Sequence, residues 1–222
     1  MNDNQHNVKS PLPEPTLRRL PWYLAYVKAL DSRHVEHVSS TQIAKQINVD
    51  ASQVVKDLSF LNIKGKTRIG YEVHPLAKTL NEFLGFKHRH NAFMIGAGSL
   101  GSALMRDLGL VQYGLNIVAG FDVSQELIGT TVGNIPIYDI ATLPQRQHDM
   151  GVSIAIVAVP FENAQEVTNL LVKSNIKAIW NFTAHRIKVP SGVVLQNTSI
   201  YADLALMYNR MEVEHNLKHS LK

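Results

Sequence analysis

The chain contains 222 residues, 45% of them hydrophobic, and no cysteine. This length predicts one or two domains with a sizeable core, and the lack of cysteine excludes disulfides, zinc–thiolate sites and cysteine nucleophiles. No apolar run approaches the ~20 residues of a membrane span. We expect a cytoplasmic protein with no membrane contact and no bound metal.

The net charge of +4 is unevenly distributed along the chain. Residues 1–90 carry 13 Lys and Arg against 8 Asp and Glu, whereas residues 91–222 carry 9 against 10. The basic excess lies wholly in the N-terminal part, which favours a polyanionic partner for that end of the chain. A solvated basic face without a partner is the alternative.

Residues 1–15 are polar, contain three prolines and lack a hydrophobic signal core, so we predict a disordered leader there. Apolar residues then recur at helical spacing and predict a helix over Leu17–Leu30. Ser39-Ser40-Thr41 offers an N-cap for a second helix, Gln42–Ile47. Asp50 is placed to cap a third helix, Ala51–Leu61. Two capped helices joined by a short turn are typical of the helix-turn-helix motif.

A basic loop with two glycines, Lys64–Tyr71, follows the third helix and is typical of the wing of a winged helix. We therefore predict a winged helix-turn-helix domain over residues 16–90 and double-stranded DNA as its partner. A small helical domain without a nucleic-acid role is the alternative. The predicted DNA contacts are Arg18, Arg19, Ser52, Gln53, Lys56, Lys64, Lys66, Arg68 and Tyr71.

A further helix, His74–Phe86, leads into the linker Lys87–His90. The linker holds two histidines, but no third ligand with suitable spacing is visible, so a solvated linker is favoured over a metal site. The next stretch, Asn91–Asp122, has the order strand, glycine turn, helix, strand and carboxylate. That order is the dinucleotide-binding fingerprint in its required context.

Each glycine of the fingerprint has a physical role. Gly96 permits the tight turn, Gly98 lets the backbone approach a pyrophosphate, and Gly101 lets the helix pack against the strand. The helix that follows has Leu100, Ala103, Leu104 and Leu108 at helical spacing. Its N-terminus would face the phosphates.

Asp122 lies ~20 residues beyond the last glycine, where an acid accepts hydrogen bonds from ribose hydroxyls. A carboxylate there repels a 2′-phosphate, which favours NAD(H) over NADP(H). Strands alternate with helices up to residue 197, so we predict a Rossmann-like parallel-sheet domain over residues 91–198. A glycine-rich turn that binds nothing is the alternative. The predicted cofactor-binding residues are Gly96, Ala97, Gly98, Ser99, Leu100, Gly101, Asp122, Val159, Pro160, Asn181 and Phe182.

The chain closes with an amphipathic helix over Ile200–His215, whose apolar positions include Leu204, Met207, Tyr208 and Met211. Such a helix either completes the core of its own subunit or docks on a partner subunit. The fold class is α/β, with residues 199–222 as a C-terminal helix and tail.

These residues together resemble the Rex family of redox-sensing transcriptional repressors. The resemblance runs from about Pro15 to Met207 and rests on many short matches in order. They are Thr16–Pro21, Val38–Ser40, Asp57–Phe60, Gly65–Lys66, Gly70–Tyr71, Gly96–Gly101, Phe121–Val123, Val159–Pro160, Asn181–Phe182 and Val193–Asn197.

The resemblance implies a homodimer in which a winged helix precedes a Rossmann domain and the C-terminal helix is swapped onto the partner. It implies binding to a palindromic operator when NADH is scarce and release when NADH binds, so that the protein senses the NADH/NAD ratio. The resemblance gives residues 199–222 the role of a dimerisation helix.

The chain departs from the family pattern at several positions. Val55 and Lys56 stand where the family usually has two basic residues, and Thr67 precedes Arg68 where the wing is usually basic. Asn62 replaces an expected glycine. Ser199 replaces an acid that belongs, in the family, to a polar network with an early arginine matching Arg18 or Arg19.

A small NAD-dependent oxidoreductase with a basic accessory domain is the rival function. Such an enzyme needs an acid–base group beside the nicotinamide and usually a substrate domain. Only His185 could serve as the base, and no residues are left for a substrate domain, so we predict no catalytic residues. A nucleotide-binding interaction protein without DNA contact is a third possibility.

Overall fold

The computed structural model describes residues 12–220, with side chains up to position 213. The chain forms two compact units that meet in sequence between His88 and Arg89. The predicted leader lies mostly outside the described residues. Glu14 and Pro15 already belong to the first helix, with Pro13 at its N-cap, so the leader prediction is wrong at these two positions. Proline is tolerated there because the first helical turn needs no donor from it.

The first unit is helical, with one small antiparallel sheet that pairs Val38 with Tyr71. Its elements are α1 (Glu14–Asp31), β1 (His37–Val38), α2 (Ser40–Ile47), α3 (Ala51–Ser59), β2 (Tyr71–Glu72) and α4 (Val73–Phe83). This is a winged-helix arrangement in which α2 and α3 form the helix-turn-helix.

The turn between α2 and α3 follows from local capping. Ser39 and Gln42 form a capping box, so α2 begins at Ser40, two residues before the predicted start at Gln42. Asn48 ends the helix in the left-handed conformation that asparagine tolerates. Asp50 occupies the N-cap of α3, but its side chain accepts no capping hydrogen bond there.

The core of the first unit is made by one face of each helix. On α3 the buried apolar residues are Val54 and Leu58, with Leu61 just beyond its end. Each fully buried side chain of this size stabilises the fold by ~1.5–3 kcal/mol. Burial of this face leaves the opposite face of α3 for solvent or a ligand.

The second unit is a parallel sheet with helices and two short 3₁₀ turns between its strands. Its elements are β3 (His90–Ile95), α5 (Ser99–Arg106), α6 (Leu108–Gln112), β4 (Leu115–Asp122), β5 (Thr131–Val132), β6 (Ile135–Asp139), α7 (Leu143–Met150), β7 (Ile154–Val157), α8 (Ala164–Lys173), β8 (Ala178–Asn181), β9 (Val194–Asn197) and α9 (Ile200–Ser220).

The strand order is β5-β6-β4-β3-β7-β8-β9, and only β5 is antiparallel to its neighbour. The chain moves outward from β3 through β4 to β6, then returns to the other side of β3 at β7. This reversal is the topological switch point of a Rossmann fold, where ligands bind at the carboxyl ends of the strands. The glycine turn directly follows β3 and therefore lies at that point.

The helix after the glycine turn is shorter than predicted. It ends at Arg106, and Asp107 caps the separate helix α6 by accepting a hydrogen bond of 2.8 Å from the Gly109 amide. Leu108 is 78% exposed and does not continue the apolar face of α5. An aspartate whose side chain bonds its own backbone competes with helix continuation, which explains the break.

Helix α9 is longer than predicted and runs to Ser220. Its apolar residues Leu204, Met207, Tyr208 and Met211 are all exposed in the single chain. The described part of α9 therefore does not complete the core of its own subunit. Among residues 12–220, no helix combines the length and apolarity that crossing a membrane requires.

Candidate nucleotide site and nucleic-acid interface

The three glycines of the turn differ in their surroundings. Gly96 has a φ of +90°, and a Cβ there would lie 2.6 Å from the Ala158 carbonyl oxygen. A Cβ on Gly101 would lie 1.9 Å from the Gly96 carbonyl oxygen. By contrast, a Cβ on Gly98 would meet nothing within 4 Å. Two glycines are therefore required by the fold, whereas Gly98 leaves open space above the turn.

The N-terminus of α5 borders this open space. Gly98 is its N-cap residue and has no side chain to accept hydrogen bonds from the first turn. Ser99, next to it, is exposed. Unpaired amides and the positive end of the helix dipole favour an anion at this position.

Asp122 holds the glycine turn from the neighbouring strand. Its Oδ2 accepts a hydrogen bond of 2.7 Å from the Ala97 amide. Its Oδ1 accepts hydrogen bonds of 2.8 and 2.9 Å from the amides of Val123 and Ser124. The carboxylate thus fixes the backbone on both sides of the site, a role that sequence reasoning did not assign to it.

A cavity of about 380 Å³ opens between these groups and the loop after β7. This volume falls within the roughly 300–1,000 Å³ typical of small-molecule sites. Gly96, Gly98, Asp122, Val159 and Pro160 line it, together with apolar side chains of β3 and β4. Five of the residues predicted from sequence therefore lie around one cavity.

Asn181 and Phe182 do not line this cavity within the described chain. The Asn181 side chain is buried and donates to the His185 carbonyl oxygen and to Asn197, both at 2.9 Å, while its Oδ1 accepts from Thr183. Phe182 packs on Trp180 with ring centroids 4.7 Å apart. The Asn181 amide thus shapes its own loop, and the predicted nucleotide contacts at Asn181 and Phe182 stay predictions.

In the first unit, α3 presents an outward face that is mainly polar. Ser52, Lys56 and Ser59 are exposed on it, and Val55 among them is 48% exposed. The predicted contact Gln53 is half-buried and donates a hydrogen bond of 2.8 Å to Asp57. This face has the hydrogen-bonding and cationic groups that a recognition helix uses in the major groove.

Asp57 lies on the buried face of α3 and is the centre of a polar network. Arg19 donates to it through Nε at 2.6 Å and Nη2 at 2.8 Å. Tyr23, Thr16 and Gln53 donate to it at 2.7, 2.9 and 2.8 Å. Burial raises the pKa of Asp57, but these hydrogen bonds, from Arg19 above all, lower it to about 2.

The network changes the interpretation of Arg19. Its guanidinium is committed to a bidentate pair with a buried carboxylate, and this hydrogen bond raises the pKa of Arg19 above its usual value. Arg19 therefore connects α1 to α3 and is not an unpaired cation offered to DNA. Arg18 is exposed and pairs with Glu14 at 2.7 Å, a surface pair of small energetic value.

The wing is a tight hairpin in which Lys66 and Gly70 exchange backbone hydrogen bonds of 2.8 and 2.9 Å. Lys64, Lys66 and Arg68 are exposed. Lys66 forms an ion pair with Glu72, which lowers the pKa of that carboxyl group.

Tyr71 is only 6% exposed and packs in the core of the first unit, where burial raises the pKa of its hydroxyl. The ring of Tyr71 therefore offers little surface to a ligand in this structure. The tyrosine follows the wing in sequence, but strand pairing with Val38 turns its ring inward.

Sequence reasoning missed the Asp57 network, although a signal was present. Asp57 follows Val54 by three residues and adjoins Leu58, so helical spacing places it on the apolar face of α3. A carboxylate buried on that face requires partners, and the cations and hydroxyls of α1 were available.

The fold and site together define the class of the protein. A winged-helix domain with an exposed cationic wing precedes a Rossmann domain whose glycine turn opens on a cavity of suitable size. This combination is that of a DNA-binding regulator that carries a nucleotide-binding domain.

Comparison with known proteins identifies the family. Family models described as "Putative DNA-binding protein N-terminus" and "CoA binding domain" match residues 11–59 and 87–185. A redox-sensing transcriptional repressor Rex of Bacteroides fragilis is 53% identical over 95% of this chain and 96% of its own. That of Treponema denticola is 40% identical over 88% of this chain and 94% of its own.

Solved structures agree with the sequence comparison. A structure of RSP in complex with beta-NAD+ and operator DNA has a TM-score of 0.87 at 31% identity, covering 95% of this chain and 97% of that chain. RSP in complex with beta-NADH has a TM-score of 0.84 at 32% identity, covering 96% and 100%. The chain belongs to the Rex family of redox-sensing transcriptional repressors.

Proposed function

We propose that this protein is a homodimeric repressor that binds a palindromic operator, senses the NADH/NAD ratio and leaves the DNA when NADH binds. The proposal rests on one observation: a single chain combines the open space above Gly98 with exposed cations on α3 and the wing. The RSP complexes with beta-NAD+ and operator DNA and with beta-NADH support it.

The residues around the glycine turn are suited to the parts of NAD(H). The space above Gly98 accepts the pyrophosphate, and the first amides of α5 donate to it. Asp122 accepts from the ribose hydroxyls and disfavours a 2′-phosphate. Val159 and Pro160 form the apolar wall of the cavity.

The DNA surface comprises α3 and the wing. Ser52 and Lys56 face the major groove, while Lys64 and Arg68 provide the cations of the wing. Arg18 lies in the first turns of α1. A DNA phosphate can replace Glu14 as its partner at small energetic cost, because the Arg18–Glu14 pair is largely exposed to solvent.

The dimer uses α9. Leu204, Met207, Tyr208 and Met211 lie on one side of this helix and are 37–61% exposed in the single chain. An apolar stripe of this length is stable in water when a second apolar surface covers it. Covering by a second copy of the chain supplies the twofold symmetry that a palindromic operator requires.

The proposal includes no catalytic step. His185 is the one residue considered as a base, and its Nδ1 is buried without a hydrogen-bond partner among the described residues. Its ring packs on Phe161 with centroids 4.6 Å apart. A general base needs a partner that orients it. A bacterial repressor meets its operator in the cytoplasm, where we place the protein.

A gel shift tests the function directly. Wild-type protein selects binders from a fluorescent pool of palindromic DNA, and the selected probe is then titrated with NADH or NAD+. We expect a retarded complex that NADH dissociates at concentrations at which NAD+ leaves it intact. Equal responses to the two nucleotides would refute the sensor, and failure to retard any probe would refute the repressor.

A further inference from the structure

The wall of the nucleotide cavity is almost entirely apolar. Among the described residues that line it, only Asp122 and Asn163 carry a polar side chain. Both oxygens of Asp122 already accept hydrogen bonds from backbone amides around the glycine turn. Asn163 comes from the segment between β7 and α8, on the other side of β3 from Asp122. Pockets of this kind orient a ligand through a few such polar groups.

The side-chain amide of Asn163 has no hydrogen-bond partner among the described residues. Asparagine at the N-cap of a helix usually accepts a hydrogen bond from the first turn. Asn163 occupies the N-cap of α8, but its side chain accepts no such bond and is exposed. The amide of Gln165, by contrast, is engaged through both its oxygen and its nitrogen by the backbone of Lys188. Asn163 therefore offers a donor and an acceptor to a ligand in the cavity.

The position of the cavity identifies the part of the dinucleotide that reaches Asn163. Residues at the ends of β4 and β7 line the cavity, and Ile140 after β6 joins them, but no described residue of the loop after β8 does. A dinucleotide crosses the sheet at the switch point, with its pyrophosphate at the glycine turn. The proposed ribose contact of Asp122 puts the adenosine half on the β4 side. The base attached to that ribose therefore occupies this cavity.

The cavity wall suits the flat apolar faces of adenine. Val123 follows Asp122 directly and is 70% exposed in the chain, so a ligand can cover it. Leu127, Ile140 and Val167 complete the apolar wall. The edge of adenine is polar, because it presents a 6-amino donor beside the N7 acceptor. One asparagine amide matches this edge with two hydrogen bonds, since its oxygen accepts from the amino group while its nitrogen donates to N7.

We propose that Asn163 binds the 6-amino group and N7 of the adenine base and sets the preference of the site for adenine over other purines. The inference rests on the proposed NAD(H) site and deepens it. Hypoxanthine and guanine carry a 6-oxo group in place of the amino group, so the asparagine oxygen would face a second acceptor. A site built to pair with an amino group rejects the analogue that lacks it, because its own polar group then stays unpaired.

Calorimetric titration of the full chain with NADH and with its hypoxanthine analogue tests this role. We expect wild type to bind NADH on the order of tenfold more tightly than the analogue, which is the discrimination of one bidentate pair. Asn163→Ala should bind the two ligands equally, and its melting temperature should not change because no capping hydrogen bond is lost. Asn169→Ala, on the same helix but outside the cavity, should keep the wild-type preference.

A second ligand separates the two ends of the dinucleotide. ADP-ribose keeps the adenosine half of NADH but lacks the nicotinamide base. Asn163→Ala should lose the same factor of affinity for ADP-ribose as for NADH, about tenfold in each case. A loss confined to NADH would place Asn163 at the nicotinamide and overturn the inference.

Two further outcomes would overturn the inference. They are equal binding of NADH and its hypoxanthine analogue by wild type, and a wild-type preference for NADH in Asn163→Ala. If NADH binds with the adenine preference but does not dissociate the operator complex, the proposed sensor is refuted and the role of Asn163 stands. If NADH dissociates that complex without any adenine preference, only the role of Asn163 is refuted.

Discussion

Arg19 on α1 and Asp57 on the recognition helix α3 form a bidentate ion pair, with donor–acceptor distances of 2.6 and 2.8 Å. The Asp57 carboxylate is fully buried. The pair therefore connects the helix that carries the predicted DNA contacts to the first helix of the domain. Breaking one partner of such a pair costs about 3–5 kcal/mol, because the other charge stays buried.

Asp57 makes the stability of the first unit sensitive to acid. Its pKa is about 2 in the fold against an ordinary 3.8. A depressed pKa stabilises the fold above the ordinary value, and this contribution is lost as the pH falls through the folded value. We expect about 2 kcal/mol of stability to disappear between pH ~4 and pH ~2.

Asp57→Asn tests this expectation in urea unfolding at several pH values. The variant should be less stable at pH 7, and its stability should fall less between pH 4 and pH 2 than that of wild type. Gln53→Ala removes one of the hydrogen bonds that lower the pKa of Asp57 and serves as a milder control. Its stability should begin to fall at a higher pH than that of wild type. Parallel pH profiles for Asp57→Asn and wild type would argue against the network.

The glycines of the nucleotide turn should separate binding from folding. In Gly98→Val the valine side chain occupies the open space above the glycine turn. This variant should therefore lose NADH binding without a lower melting temperature. Gly101→Ala should lower the melting temperature because its Cβ would lie 1.9 Å from the Gly96 carbonyl oxygen. NADH fluorescence titration and thermal unfolding measure the two effects. Retained NADH binding by a folded Gly98→Val protein would disprove the site.

Asp122 should set the choice between NADH and NADPH. Asp122→Asn removes the charge that repels a 2′-phosphate, so NADH affinity should fall several-fold and the NADPH/NADH affinity ratio should rise. Asp139, its register partner on β6, supplies the matched control Asp139→Asn. If both variants shift the ratio equally, general negative charge and not a ribose contact explains the preference.

The apolar stripe of α9 should determine the oligomeric state. Met211 is 61% exposed in the single chain, and Met211→Asp places a charge in the proposed interface. We expect light scattering after size-exclusion chromatography to show a monomer, because an unpaired charge is costly in an apolar interface. Asn209→Asp introduces the same charge on another face of the helix and should leave a dimer. A dimeric Met211→Asp protein would place the interface elsewhere.

Because of Val55, the DNA affinity of the protein should depend on the methyl group of one thymine in the operator. An exposed aliphatic side chain on a recognition helix contacts the methyl group of thymine in the major groove. Replacing thymines of the selected operator one at a time by deoxyuridine should weaken wild type at one position and leave Val55→Ala unaffected there. Equal losses for the two proteins at every position would exclude this contact.

Much of the architecture follows from local sequence patterns. The capping box at Ser39, the apolar spacing of Val54 and Leu58, and the glycine turn after an apolar strand each act within a few residues. Such features depend on steric and hydrogen-bonding rules that hold in any tertiary context. For this reason most of the helices and strands and the Rossmann turn were predicted from the sequence, whereas the short elements β1, α6 and β5 were not.

Contacts between distant residues could not be predicted in the same way. The sequence suggested that Arg19 is a free cation, but in the fold it pairs with Asp57, 38 positions away. It also suggested that Tyr71 belongs to the wing, but pairing with β1 turns the Tyr71 ring inward. The hydrogen bond from the Asn181 side chain to the His185 carbonyl oxygen also joins parts of a loop that no local pattern specified.

The sequence by itself determined which elements form and which chemistry they bring, because propensity, capping and glycine geometry are local. Only the tertiary structure decided which charges are free and which are already paired. Pairing depends on the positions that two separate segments reach after folding, and no local pattern contains that information. Arg68 shows both sides: its identity is in the sequence, but its left-handed backbone, with a φ of +65°, is a property of the fold.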